Sequence, residues 1–108
     1  MQIQIKKTNL IKLIKFSRQI LLSNNKIYFV KESLSGEIIC KSLNFDINEN
    51  SNYLLFISRE IKKELDKLSN DVKINFISYY ENGLEKTPFI SFNNIEIELI
   101  KVVTKYDK

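Results

Sequence analysis

Apolar and polar positions alternate at the start of the chain. In Gln2-Ile3-Gln4-Ile5-Lys6 the two isoleucines share one face, which predicts a strand. The period then changes. Leu10, Leu13, Ile14, Ile20 and Leu21 form an apolar stripe after Thr8. The pattern predicts a helix capped by Thr8, running to about Leu22 and stopped by Ser23-Asn24-Asn25. Lys26 to Glu32 and Glu37 to Phe45 read as two strands about the turn Ser35-Gly36, and polar Asp46 to Asn52 as a loop. Tyr53 to Ile57 is a short unbroken apolar run, expected as a strand buried on both faces. Ser58 is placed to cap a second helix, Arg59 to Leu68, whose buried stripe is Ile61, Leu65 and Leu68. Ser69-Asn70-Asp71 end it. Val72 to Tyr80, Pro88 to Phe92 and Ile95 to Val103 are the remaining strands, with Asn82-Gly83 and Asn93-Asn94 as turns.

These elements predict an α+β fold: an antiparallel sheet with both helices packed on one face, in the order β-α-β-β-β-α-β-β-β. The order suggests a duplicated β-α-β-β unit, one copy over about 1–46 and the other over about 52–103. Lys26-Ile27-Tyr28-Phe29-Val30 matches Lys73-Ile74-Asn75-Phe76-Ile77 at an offset of 47, which also sets Gly36 on Gly83, Leu43 on Ile90 and Phe45 on Phe92. Residues 1–103 are expected to form a single domain, and 104–108 a charged, frayed tail.

Composition narrows the class. The 108 residues suffice for one core, and 44% hydrophobic with 28% charged residues is globular rather than disordered. No window of about 18 uncharged apolar residues exists, so no membrane partner is expected. The N-terminus alternates and lacks the apolar core of a signal peptide. Cys40 is the one cysteine, read as a small apolar strand residue without an internal disulfide, which suits the cytoplasm. The net charge of +4 is a mild bias toward acidic partners.

The chain has no histidine, which removes the commonest general base and metal ligand. One cysteine cannot build a zinc site, and both glycines fall in turns, so no phosphate-cradling loop is available. No catalysis, cofactor or metal is therefore expected. Asp46 with Glu60-Ile61-Lys62 loosely follows the Asp…Glu-x-Lys pattern of metal-dependent nucleases, but Glu60 falls in the first turn of a helix rather than on a strand. Glu96 and Glu98 share a strand face and read as its solvent side. The basic residues are spaced helically. Lys12 and Lys15 lie opposite the first apolar stripe with Arg18 beside them, and Arg59, Lys63 and Lys67 recur at every fourth position, flanked by Lys62. Two such stripes facing the same way would hold phosphates by sequence-independent attraction, although Glu60, Glu64 and Asp66 dilute the second. Tyr79 or Tyr80 would stack on bases or anchor a protein interface.

Strand, helix and antiparallel strands, done twice, with Lys12, Lys15, Arg18, Arg59, Lys63 and Lys67 on the helices, resemble one domain of a DNA sliding clamp from Met1 to about Val103. In that family the duplicated unit is βαβββ, helices line the ring's inner wall with Lys and Arg, and edge strands pair between neighbouring domains. The resemblance implies a non-catalytic binding module. Its partner would be a nucleic-acid backbone or a protein of a nucleic-acid-handling complex, those six residues its contacts, and a homo-oligomer its assembly. Seven predicted strands leave the first repeat one strand short of that unit, and one domain does not close a ring. Effector-binding domains made from a duplicated βαββ unit fit the same order and imply a ligand cavity, often with a buried carboxylate. The alternative function is a small protein-binding inhibitor or adaptor, of the kind mobile elements encode against host nucleases or defence complexes. Its contacts would lie on the edge strand Ile95 to Val103 or on the hairpin tips.

Overall fold

The computed structural model describes residues 2–23, 26–46 and 51–102. Strand β1 (Gln2–Lys6) passes without a loop into helix α1 (Lys7–Phe16). Thr8 is therefore not the cap but lies inside the first turn. The N-cap is Lys6, with no side-chain cap bond, and the Lys7 backbone N–H instead donates to the Asn70 carbonyl at 2.8 Å. The helix also ends well short of Leu22. Ser17 takes an extended conformation as C-cap, its hydroxyl donates to the Val30 carbonyl, and it accepts from the Gln19 N–H at 3.1 Å. The chain reverses there into β2 (Gln19–Ser23), which pairs antiparallel with β3 (Lys26–Glu32). Ile20 and Leu22 are buried and Leu21 points to the other face, a period of two where a helix was expected. The strand that the first repeat was expected to lack is this one.

The remaining elements are β4 (Ile38–Asn44), β5 (Asn52–Phe56), α2 (Arg59–Asp66), β6 (Asp71–Ile77), β7 (Tyr80–Glu81), β8 (Leu84–Glu85), β9 (Phe89–Phe92), β10 (Ile95–Glu98) and β11 (Ile100–Val102). The α+β class with antiparallel strands and two helices holds, with eleven strands among the described residues. Ser58 caps α2 as its sequence predicts, its hydroxyl accepting from the Ile61 N–H at 3.1 Å. Asn82 and Gly83 both have positive φ, 53° and 78°, as a two-residue hairpin turn between β7 and β8 requires. The strand Ile95 to Val103 is broken at buried Leu99, so that β10 and β11 enter different sheets; Val103 and the 104–108 tail lie outside the described residues. Nor is β5 buried on both faces: Tyr53 and Leu55 are buried, whereas Leu54 and Phe56 are exposed.

The strands form two larger sheets, β1-β6-β9-β10 and β11-β5-β2-β3-β4, beside the β7–β8 hairpin. Each takes strands from the other half of the chain: β1 at the edge of the first, β5 with β11 beyond it in the second. Ile3 and Ile5 of β1 oppose Ile74 and Val72 of β6, while Tyr53 and Leu55 of β5 oppose Leu22 and Ile20 of β2. The junctions match as well: the Ile57 N–H donates to Arg18 O at 2.9 Å, the counterpart of Lys7 to Asn70. A pseudo-two-fold relation thus links β1-α1-β2 with β5-α2-β6. The offset of 47 is not its register. That offset sets β3 on β6, whereas the pairing makes β2 the counterpart of β6, and Gly83 belongs to an inserted hairpin without an equivalent in the first half. Strands rich in Ile, Lys and Asn resemble one another whichever sheet position they fill.

The buried residues form one cluster, to which α1 gives Leu10 and Ile14 and α2 gives Leu65. The inner faces of the two sheets meet where the Tyr53 and Phe76 rings lie 5.6 Å apart. The helices are antiparallel neighbours: the Lys7 ammonium at the start of α1 donates to the Asp66 and Leu68 carbonyls at the end of α2, at 3.1 and 3.0 Å.

Candidate functional site

Because the helices run antiparallel, the end of α1 lies beside the start of α2, and an open cleft of about 560 Å³ separates them. Ile14, Phe16 and Ser17 form part of its wall, and Lys15, Arg18, Arg59, Lys62, Lys63 and Asp66 supply its charges. Four of the six basic residues singled out in the sequence, Lys15, Arg18, Arg59 and Lys63, converge here. Lys62, a flanking residue in the sequence, joins them. Arg18 arrives by a different route from the one expected. It is not on α1 but on the bend before β2, and its guanidinium stands 5.1 Å over the Phe56 ring.

The other two residues are elsewhere. Lys12 is exposed on α1 and does not line the cleft. Lys67 follows α2 and borders a second depression with Glu64 and Glu96, where two carboxylates offset it. The helical stripe expected on α2 is thereby split between two sides of the helix.

Two cations escaped the sequence pattern. The Lys31 and Lys41 ammoniums lie 4.4 and 4.7 Å from the centroid of Phe16, a residue of the cleft wall. They sit on β3 and β4, and only the pairing of Phe29 with Lys41 brings them to α1's side of the sheet. The charges at the cleft are mutually unneutralised. The Lys6–Asp71 ion pair at 3.0 Å and the Lys86–Glu81 pair at 3.8 Å both lie away from it. Five cations against one carboxylate, Asp66, leave the cleft with an excess of positive charge.

The carboxylates considered for metal chemistry do not gather. Glu60 is exposed in the first turn of α2, Asp46 follows β4, and Glu96 and Glu98 are exposed on β10. No cluster of three potential metal-ligating side chains occurs among the described residues. Cys40 is a free, exposed thiol on β4 rather than a packed strand residue. Tyr79 and Tyr80 are both exposed near the β7–β8 hairpin, Tyr79 with its ring edge-on to Phe89 at 6.4 Å. No helix among the described residues is long and apolar enough to cross a membrane. Comparison with protein-family models, with curated proteins and with solved structures finds no match for this chain.

Proposed function

We propose that this protein is a non-catalytic, cytoplasmic binding module that acts next to DNA and holds a phosphate backbone in the cleft between α1 and α2. The observation that carries the reading is the convergence of Lys15, Arg18, Arg59, Lys62 and Lys63 on one open surface, with Asp66 the one carboxylate there. Such a surface binds by charge and by release of counterions, so it accepts many sequences and weakens in salt. Arg18 and Arg59 offer forked donors to phosphate oxygens, and the lysines add mobile point charges. The likeness to a sliding-clamp domain supports the same reading through element order: with β2 present, the first half is βαβββ, and in the second β5, α2, β6, β9 and β10 follow the same order around the inserted β7–β8 hairpin.

Anisotropy of a labelled 20-base-pair duplex, titrated with the protein across a salt series, tests this. Binding is expected to weaken with salt at a log–log slope of about −0.9 for each phosphate contact, about −3 to −4 in total. Replacing Lys15, Arg59 and Lys63 together by Glu is expected to abolish binding, while Lys12→Glu with Lys67→Glu changes it by about twofold or less. Equal binding by the triple variant and the wild type sinks the proposal.

A second reading, the protein-binding inhibitor or adaptor, draws on a separate observation. Leu34 stands fully exposed at the β3–β4 turn, and Tyr80 and Leu84 are exposed on the β7–β8 hairpin. A single stoichiometric protein partner, retained after nuclease treatment and lost on Leu34→Asp or Leu84→Asp, favours it over the first.

A further inference from the structure

The two large sheets are built alike, yet their outer faces differ. A sheet covered on one side is expected to show polar residues on the other. The outer face of β1-β6-β9-β10 is mostly polar, presenting Gln2, Gln4, Lys73, Asn75, Glu96 and Glu98 beside Ile77 and half-buried Phe89. The outer face of β11-β5-β2-β3-β4 is not. Leu54, Phe56 and Ile100 are 45%, 54% and 66% exposed there, beside half-buried Leu21 and Val30. Together with Gln19 these residues border an apolar groove of about 470 Å³. Among the described residues no strand or helix packs on this face, though the Arg18 guanidinium stands over Phe56 at its end, and no residue of its two central rows is charged: Ile100, Leu54, Leu21, Tyr28 and Ser42 in one, Phe56, Gln19, Val30 and Cys40 in the other.

We propose that two copies of this chain pack through this face, about a two-fold axis that lies between the sheets and crosses the strands at Leu55, Ile20 and Phe29. The proposal does not rest on the DNA reading: the face lies on the side of the sheet away from the helices and meets the cleft through Arg18 over Phe56, and Leu54 does not line the cleft.

The placement of charge selects a second copy as the occupant. The outer residues of β3 are Lys26, Tyr28, Val30 and Glu32, with the two charges at opposite ends of the strand, about 20 Å apart. Neither is in an ion pair among the described residues. The axis turns β3 end for end over its own copy. Tyr28 then faces Val30 of the second copy, Leu54 of each copy faces Phe56 of the other, and Lys26 faces Glu32 at both ends of the contact. The uncharged centre means that no charge meets its own copy near the axis. Strands of three, five, five, seven and seven residues, at about 3.3 Å along and about 4.8 Å across, give a footprint of about 430 Å². That is about half the roughly 800 Å² per partner of a standard interface, the size of a weak, reversible contact, and an apolar, uncharged centre is what homodimer interfaces have.

Sedimentation equilibrium of the full chain over about 1–200 μM reads the assembly. The expected species has about twice the 12.8 kDa chain mass. Leu54→Asp, at an exposed position, is expected to give a monomer with unchanged circular dichroism. Lys26→Glu and Glu32→Lys are each expected to weaken the dimer by about tenfold, since each turns two attractive rim pairs into repulsive ones. The two changes combined restore it, and the two single variants mixed together form a heterodimer. A wild-type chain that stays monomeric throughout overturns the proposal. So does a dimer indifferent to Leu54→Asp, which would be held by strand edges, or a charge swap that fails to restore association.

Discussion

Ser17 sits where α1 gives way to β2, and its hydroxyl serves both sides of that junction. It donates to the Val30 carbonyl on β3 and accepts from the Gln19 N–H two residues on. The hydroxyl thus competes with the next turn of helix and supports the extended strand instead. Ser17→Ala leaves a carbonyl and an N–H short of a partner in a half-buried place, and is expected to cost about 1 kcal/mol of stability in urea unfolding. A loss within error would show that backbone pairing alone turns the chain. At the same scale, the positive charges were legible in the sequence as residues but only partly as a site. Lys15, Arg59 and Lys63 were placed by helical spacing, and that spacing survives. Arg18 reached the cleft although its helix was misread, because the bend that replaces the helix leaves it at the same end of α1. Lys31 and Lys41 were not legible at all, since their approach to Phe16 depends on how β3 and β4 pair with each other.

Most elements followed from local pattern because local chemistry decides them. Alternation marks β1, the Ser58 hydroxyl marks the start of α2, and Asn82-Gly83 marks a hairpin turn. The element that did not follow is β2. Ile20, Leu21 and Leu22 extend an apolar series that begins at Leu10, and leucine and isoleucine at those spacings fit a helix as well as a strand. A solvent-facing strand would have betrayed itself by a polar residue at position 21. Leu21 is apolar because it belongs to the outer face on which the two copies are proposed to meet, so the feature that hid the strand is also the one that suggests the contact. The strand reading makes Leu22 a core residue and Leu21 a surface one. Leu22→Ala is expected to destabilise the chain by about 3 kcal/mol, as is Ile74→Ala at the pseudo-symmetric position, and Leu21→Ala by less than about 1 kcal/mol. Denaturant unfolding measures all three at protein concentrations well below those that favour dimers. Were Leu21→Ala the costliest, the helix would be the better description.

At the scale of the molecule, the exchange of β1 and β5 means that neither half of the chain closes its own sheet. Residues up to Asp46 contain β2-β3-β4 but need β5 beside β2; residues from Ser51 contain β6-β9-β10 but need β1 beside β6. The core is shared in the same way, for Tyr53 packs against Phe76 although Tyr53 belongs to one sheet and Phe76 to the other. Half the chain would have to leave apolar faces of both a helix and a sheet in water, and a fragment of about 50 residues has little core to spare. Cutting the chain between Asp46 and Ser51 is therefore expected to give two fragments that show no cooperative thermal unfolding alone. Mixed in equal amounts they are expected to recover it, with a midpoint that rises with concentration, because folding has become a bimolecular step. The cleft is divided by the same cut, with Lys15 and Arg18 on one fragment and Arg59, Lys62 and Lys63 on the other. Duplex binding should return only with the mixture, and in proportion to the folded fraction. A fragment that unfolds cooperatively by itself would mean that strand exchange is incidental to stability, and that the two halves are joined by the core at their boundary rather than by their sheets.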